Sequence, residues 1–392
     1  MGGGGDAELQ SGDPHILRKS SFQAFAGGCV RVVLYSNTTK SLLLTMSRQN
    51  RIPASLLSIR DLAVCDYITH REHGSKLMEA TSMDNQLSAD IPVVDWPLGN
   101  GPWTMDETRQ VASAVGDACR QHGYFFLNNH GVSADLIAAT FDETRRFYSL
   151  STAQKRRFNC SSESQFLGYR GLGAERSLGH SGGEACEQYR IGNIVESPEA
   201  KAEFYHEPFS QGTILFEELV KLGDKLMSAC AVALGLSRTF FDPFMKAPMH
   251  RLGLNLFSSG AGEALGNLVN YAMTSHIDHA VLTILTQDEP GLEVLDVEGR
   301  WVNVPSIPGT LFVFLCDYME RWTNGAYRSI PHRVREVSKN RMSLQYKHRP
   351  SYATVVEPLR PFVDEDHPAR YEAFDTGEQY TQLLQALLAE RR

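Results

Sequence analysis

Between residues 252 and 347 the apolar residues recur at every second position, in one short run after another. Leu252, Leu254 and Leu256 alternate, and runs rich in β-formers follow at 281–286, 292–297, 301–304, Leu311–Leu315, 332–337 and 342–347. Turn residues separate them, as at Glu298-Gly299 and Pro308-Gly309. A period of two means that each run presents one face to a core and one away from it. A strand this short is stable only when paired and covered, so many in succession predict an antiparallel sandwich or barrel. Upstream the period is helical. Val111, Val115, Ala118 and Cys119 mark a helix over 106–122 that ends at Gly123, and 133–148 and 211–234 have the same character. Short strands are expected at 91–95 and 124–127. The expected architecture is α+β or mainly β, with helices first and then a β-barrel that they buttress.

The first 82 residues differ in composition. Between Asp13 and Asp61 there is no acidic residue, while the stretch holds seven basic residues and seven serines. Such composition suits an organelle transit segment, a disordered extension or an over-early start. The expected boundaries are an extension over 1–82 and one domain over 83–392. Within that domain, 83–245 is helical, 246–350 forms the barrel and 351–392 is a C-terminal segment.

Composition excludes several classes. The chain is 42% hydrophobic and 21% charged with a net charge of −8, ordinary for a globular protein. No basic stripe with interleaved aromatics suggests nucleic acid, and no apolar run of about 18 residues suggests a membrane span. Seven cysteines are scattered without a C-x-x-C pair, as expected for idle thiols in a reducing, cytoplasmic compartment.

The chemistry concentrates in the stretch SHIDHAVLTIL from 275 to 285. If it enters a strand, His276 and Asp278 point the same way and His279 the other. A third ligand is then needed, and His332, at the head of a later run, is the candidate. Two histidines and one carboxylate on one face leave coordination positions open, which suits non-haem Fe(II). Nine residues beyond His332, alternation pairs Arg341 with Ser343. A guanidinium beside a hydroxyl inside a barrel is suited to gripping a carboxylate. His130 is expected to be structural, and His279 to face away from the metal, with a role in orienting Asp278 as the lesser alternative.

Taken in order, His-x-Asp, the distant His332 and Arg-x-Ser are accompanied by further landmarks. These are IPVVD from 91, GYFFLNNHGV from 123, Gly168-Tyr169, the stretch from Gly291 to Phe314 and NGAYRSIPHRV from 324. Over roughly 89–392 the chain resembles the Fe(II)/2-oxoglutarate-dependent dioxygenases of the isopenicillin N synthase-like group. The resemblance implies a double-stranded β-helix, or jelly roll, with His276, Asp278 and His332 holding iron. It also implies that Arg341 and Ser343 bind the distal carboxylate of 2-oxoglutarate. The implied activity is hydroxylation, desaturation or cyclisation of a small metabolite, with O₂ consumed, succinate and CO₂ as co-products and ascorbate as an accessory reductant.

Relatives commonly carry a tyrosine where Phe257 stands here. Phe257 donates no hydrogen bond, so Asn255 is expected to assist the cosubstrate. The segment 260–275 matches no landmark. Tyr169, Arg190 and Gln345 flank landmarks and are the substrate-contact candidates. The expected partners are a small molecule, with neither nucleic acid nor membrane, and the expected state is a monomer or homodimer. Three rivals stand beside this reading: an oxygenase of this fold that does not use 2-oxoglutarate, a zinc hydrolase and a non-catalytic jelly-roll binder.

Overall fold

The computed structural model describes residues 17–25, 29–36, 41–46, 91–97, 104–161, 164–174, 184–194, 203–261, 265 and 271–389. Two compact units divide the chain, Met1–Thr81 and Ser82–Arg392. In the first, β1 (Leu17–Phe25), β2 (Cys29–Ser36) and β3 (Ser41–Met46) form an antiparallel sheet in that order. β2 is rich in Val and β3 in Leu, and the β-forming Val, Tyr and Thr among them are a signal that the basic, Ser-rich composition of the stretch obscures. The rest of residues 1–90, and with it the targeting reading, lies outside the described residues.

The second unit is built on two sheets. The larger contains β4 (Val93–Asp95), β5 (Tyr124–Asn128), β6 (Gly168–Arg170), β7 (Glu187–Ile194) and β8 (Glu203–Tyr205). It continues with β9 (Arg251–Phe257), β11 (Leu282–Gln287), β14 (Leu311–Leu315) and β16 (Arg341–His348). Its order is β4-β5-β14-β11-β16-β9-β7-β6, with β8 added on β7. The smaller sheet runs in the order β10 (Tyr271–His276), β15 (His332–Arg335), β12 (Leu292–Leu295), β13 (Trp301–Asn303). Apart from the parallel β4-β5 pair, the strands of both sheets are antiparallel, and the two sheets, crossed repeatedly by the chain, form a double-stranded β-helix.

Alternation gives the large sheet two cores. Tyr124, Phe126, Phe312 and Phe314 pack with Val294 and Val334 of the small sheet. Their chain neighbours Phe125, Leu127 and Val313 pack on the other side against helices. Those helices are α1 (Met105–Gln121), α2 (Ala134–Tyr148) and α4 (Ser210–Ala233), with the single turn α3 (Thr152–Lys155) between them. A Thr104/Glu107 capping box starts α1. No side chain of its own caps α4; instead Glu143 of α2 accepts from the amides of Ser210, Gln211 and Gly212 at 2.8–3.0 Å.

The strand expected to carry SHIDHAVLTIL is interrupted. β10 stops at His276 and β11 begins at Leu282, so Asp278 and His279 lie in the turn between them. β10 and β7 carry no run of alternating apolar residues, and their pairing comes from the sheets they join. Beyond the barrel, α5 (Asp317–Trp322), the β17 (Val355–Val356) and β18 (Phe374–Asp375) pair and α6 (Thr376–Ala389) complete the unit.

Candidate active site

His276 and His332 are direct cross-strand partners on β10 and β15, at the end of the small sheet. Their rings lie 4.3 Å apart. The turn after β10 brings Asp278 back beneath them, with its Oδ1 3.6 Å from His276 Nε2 and 3.8 Å from His332 Nε2. The two Nδ1 atoms are held by the backbone, His276 by the Thr274 carbonyl at 2.9 Å and His332 by the Ile330 carbonyl at 3.2 Å. An Nδ1–H given to a carbonyl leaves an Nε2 lone pair facing the carboxylate, the tautomer a metal needs.

This donor set fits a divalent metal. The ligand atoms all lie within 4.8 Å of one another. Buried His332 Nε2 has no hydrogen-bond partner among the described residues. Burying such an atom unpaired costs on the order of 1–3 kcal/mol unless something binds it. Burial and then the neighbouring His276 push the His332 imidazole down to about 3, so it stays neutral. For His276, burial lowers the value, but the hydrogen bond and charge of Asp278 outweigh it and raise it. Burial alone would raise the Asp278 carboxyl; Lys347, His332 and His276 together hold it well below the usual range.

Asp278 is fixed from three directions. Thr283 donates to Oδ2 at 2.8 Å, Gln345 to Oδ2 at 3.3 Å and Lys347 to Oδ1 at 2.7 Å. Lys347 and Thr283 escape a search for metal-ligand types. The signal for Lys347 was nonetheless present, since it continues the alternation of Arg341, Ser343 and Gln345 along β16. Gln345, expected near substrate, instead contacts the carboxylate. His279 turns toward Asp317, Nδ1 to Oδ2 4.0 Å, and is not among the residues bonded to Asp278.

A second polar cluster occupies the other end of β16. Arg341 is buried, and burial pushes its guanidinium down to about 10. Its Nη2 donates to Gln287 Oε1 at 2.5 Å and its Nε to the Glu289 carbonyl at 3.1 Å. Buried Nη1 has no partner among the described residues. Phe257 stands directly across from Arg341 on β9, and the guanidinium lies 4.8 Å from the ring centre. The ring therefore supports the cation through its face. Ser343 accepts from Asn255 Nδ2 at 3.3 Å, and Asn255 Oδ1 accepts from Gln188 Nε2 at 2.6 Å. Arg190 Nε donates in turn to Gln188 Oε1. A free guanidinium N–H backed by this polar row fits a ligand carboxylate.

Tyr169 does not join the site. It pairs with Tyr189, on the face of β7 opposite Gln188 and Arg190, and its ring packs on Phe147 of α2. Its hydroxyl donates to Glu187, and it lines a separate cavity of about 470 Å³ with Lys155, Arg156 and Arg170. Flanking a landmark in sequence did not bring it to the barrel interior, because alternation assigned it to the helical side. His130 Nδ1 accepts from the Val132 amide at 3.2 Å within its own turn.

Comparison with known proteins agrees with this geometry. A family profile described as the N-terminal region of non-haem dioxygenases in morphine synthesis matches residues 91–210. The 2OG-Fe(II) oxygenase superfamily profile matches 260–350. The homoarginine-6-hydroxylase 2-ODD-C23 of Glycine max is 31% identical, over 64% of this chain and 80% of its own length. The chain belongs to the 2-oxoglutarate/Fe(II)-dependent oxygenase superfamily. Membership makes it a non-haem iron oxidoreductase with 2-oxoglutarate as cosubstrate. Flavanone 3-dioxygenase 2 of Oryza sativa is a further relative, 28% identical over 74% of this chain and 83% of its own. The same fold occurs in a full-length Neurospora crassa protein solved in complex with alpha-KG and thymine. That match has a TM-score of 0.64 at 22% identity and covers 76% of this chain and 96% of the other. JOX2, solved with 2OG, Fe and JA, matches with a TM-score of 0.62 at 24% identity over 81% and 92% of the two chains.

Among the described residues no helix is long and apolar enough to cross a membrane.

Proposed function

We propose that His276, Asp278 and His332 are the iron ligands of this oxygenase, and that Arg341, with Ser343 and Asn255, holds the distal carboxylate of 2-oxoglutarate. The observation that carries the reading is a pair of buried, unpartnered nitrogens, His332 Nε2 and Arg341 Nη1, at the two ends of one polar face. When bound, iron with 2-oxoglutarate and O₂ supplies oxidative decarboxylation to succinate and CO₂, coupled to oxidation of a substrate C–H bond.

The chain's own residues prepare that site. Thr283 and Gln345 hold Oδ2 of Asp278, leaving Oδ1 toward the imidazoles. Lys347 Nζ lies 2.7 Å from Oδ1, where its positive charge would compete with a bound metal. Asn255 fixes the Ser343 hydroxyl, and Phe257 covers the guanidinium where a tyrosine stands in relatives. The aromatic interior of the two sheets keeps water from the reacting centre. The unpartnered Arg341 Nη1 supports a carboxylate-bearing cosubstrate over an oxygenase without one.

The substrate in this reading is a small organic metabolite. Relatives named for homoarginine, for flavanone and, in a solved complex, with thymine show how widely such pockets vary. Arg190, on the site side of β7, remains a substrate-contact candidate. We place the protein in the cytoplasm as a monomer or homodimer, and the free buried thiols of Cys119, Cys160, Cys186, Cys230 and Cys316 support a reducing compartment. Cell fractionation and size-exclusion chromatography check those two points.

The deciding experiment is anaerobic titration with Fe(II) and then 2-oxoglutarate, following the visible charge-transfer band of the chelate. The band should saturate in the wild type, vanish in Asp278→Ala and persist in His279→Ala. Iron binding without a band would return the 2-oxoglutarate-independent reading to the front.

A further inference from the structure

The polar face of the large sheet does not end at Asp278. On β16 it carries Arg341, Ser343, Gln345 and Lys347 in turn, and on β9 Asn255 and Arg251 stand directly across from Ser343 and Lys347. Lys347 Nζ reaches Asp278 at 2.7 Å, so Arg251, its cross-strand partner, lies on the far side of the carboxylate from Arg341. Arg349 follows two residues after Lys347, just past the end of β16. Both guanidinium groups rest on Tyr380 of α6, with their carbons 4.4 Å (Arg251) and 5.1 Å (Arg349) from the ring centre.

These two cations lack a counter-charge. Arg251 is 6% exposed and Arg349 4%, yet neither pairs with a carboxylate among the described residues. Every partner they have is uncharged. Arg251 Nη2 donates to the Tyr380 hydroxyl and to the Gln165 carbonyl, and Arg349 Nη2 donates to the Tyr318 hydroxyl at 3.5 Å. The Nε atoms of both are buried without a partner, while their Nη1 atoms, which donate to no described residue, are not sealed off. By contrast, Lys155 and Arg333 each rest on a carboxylate, Glu187 and Glu293, at 2.6 Å. Burial pushes the Arg251 guanidinium down to about 10, and the charges of Arg349 and Arg190 push the same way, against Tyr380. An aromatic face attracts a cation but cancels none of its charge. Burying charge without an opposite one costs several kcal/mol, so an anion entering here would find two donors already desolvated.

We propose that the substrate of this oxygenase is an organic acid whose carboxylate is bound by Arg251 and Arg349, a reading that rests on the assignment of iron and 2-oxoglutarate to the same face. The face then has a cation at each end and the metal ligands between them. Arg341 takes the acid of the cosubstrate, and the Arg251/Arg349 pair takes the acid of the substrate. Held there, the substrate presents its carbon chain toward Asp278 and the imidazoles, where oxidation occurs. Neutral molecules of the same shape leave both guanidinium groups unpaired and are rejected on that ground.

The test uses the metal-free full chain carrying Arg341→Gln, so that neither iron nor the cosubstrate's own anion site enters the result. The probes are acetate and benzoate, each matched with its uncharged amide, acetamide or benzamide, at equal ionic strength. At about ten times its Kd an acid should raise the Tm by about 3 °C, and its amide should not. Adding Arg349→Gln or Arg251→Gln should abolish the difference, while Arg349→Lys should keep part of it. Because each glutamine removes an uncompensated cation, the ligand-free Tm should hold or rise. The proposal is overturned if neither acid is preferred to its amide, or if the preference survives both glutamine variants. It is equally overturned if both variants fail to fold, which would make the pair an anchor for α6. Failure of the Fe(II)/2-oxoglutarate band in the wild type alongside a preserved acid preference would instead refute the iron and cosubstrate reading and leave the anion site standing.

Discussion

At Asp278 the carboxylate oxygen proposed as an iron ligand is already paired with a cation. Lys347 Nζ lies 2.7 Å away, on the side where the imidazole nitrogens converge. Replacing it in Lys347→Met removes the competitor, so Fe(II) should bind more tightly, by about tenfold after allowing for the lysine's partial exposure. Anaerobic competition with a metal indicator measures this, and weaker binding would show that Lys347 organises the carboxylate rather than competes for it. Arg341 has the converse role. Its Nη1 is buried and waiting, so Arg341→Gln should raise the 2-oxoglutarate KM about 100-fold, the scale of a lost charge-assisted pair, with Fe(II) affinity preserved. Equal losses in both would mean that the arginine supports the barrel instead. Arg341 was legible in sequence through the period of two; Lys347 was passed over, and the role of Phe257 was not legible. A phenylalanine in place of a tyrosine reads as a lost hydrogen bond, and only the cross-strand register shows it lying under the guanidinium.

Elements differ in how much of their ending and docking the sequence announces. The Thr104/Glu107 box declares the start of α1 locally. The start of α4 depends on Glu143, 67 residues earlier, because Phe209 offers no capping oxygen. Glu143→Ala should therefore destabilise the fold by about 1–2 kcal/mol, although Glu143 looks like an ordinary helix-surface acid. Urea unfolding gives the value, and no change would mean water caps α4 equally well. Where α4 meets β16, Gly223→Ala should cost about 1–3 kcal/mol by overpacking against His348. A neutral result would show that the helix can rise off the sheet. β10 is the opposite case. Its sequence, Tyr271 to His276, has no clear apolar alternation and half-buried side chains, so its strand state follows from pairing with β15. The same pairing aligns His276 with His332.

For the molecule as a whole, the buried neutral imidazoles set the acid limit. His332 and His348 are pushed down to about 3 and His250 well below its ordinary 6.5. As pH falls through 6.5 the unfolded chain takes up these protons and the folded chain does not. Stability of the metal-free protein is thus fully present above that pH and is lost as pH descends toward 3, by up to about 1.4 kcal/mol per pH unit for each histidine. Denaturation midpoints at pH 7 and pH 5 check it; equal midpoints would mean that these rings reach solvent.

The sequence by itself determined the class of fold, the existence of most barrel strands and the ligand types, because alternation and residue chemistry are local properties. It also singled out His276, Asp278, His332 and Arg341 as a set. What tertiary structure decided was direction and company. Asp278 reaches the imidazoles through a turn rather than by strand alternation, Tyr169 faces the helices, Gln345 and Lys347 bear on a carboxylate about 70 residues away, and His348 meets a helix aspartate. Those outcomes depend on which strands become neighbours. Pairing between distant segments is settled by burial over the whole sheet, a free energy that no single stretch of chain contains.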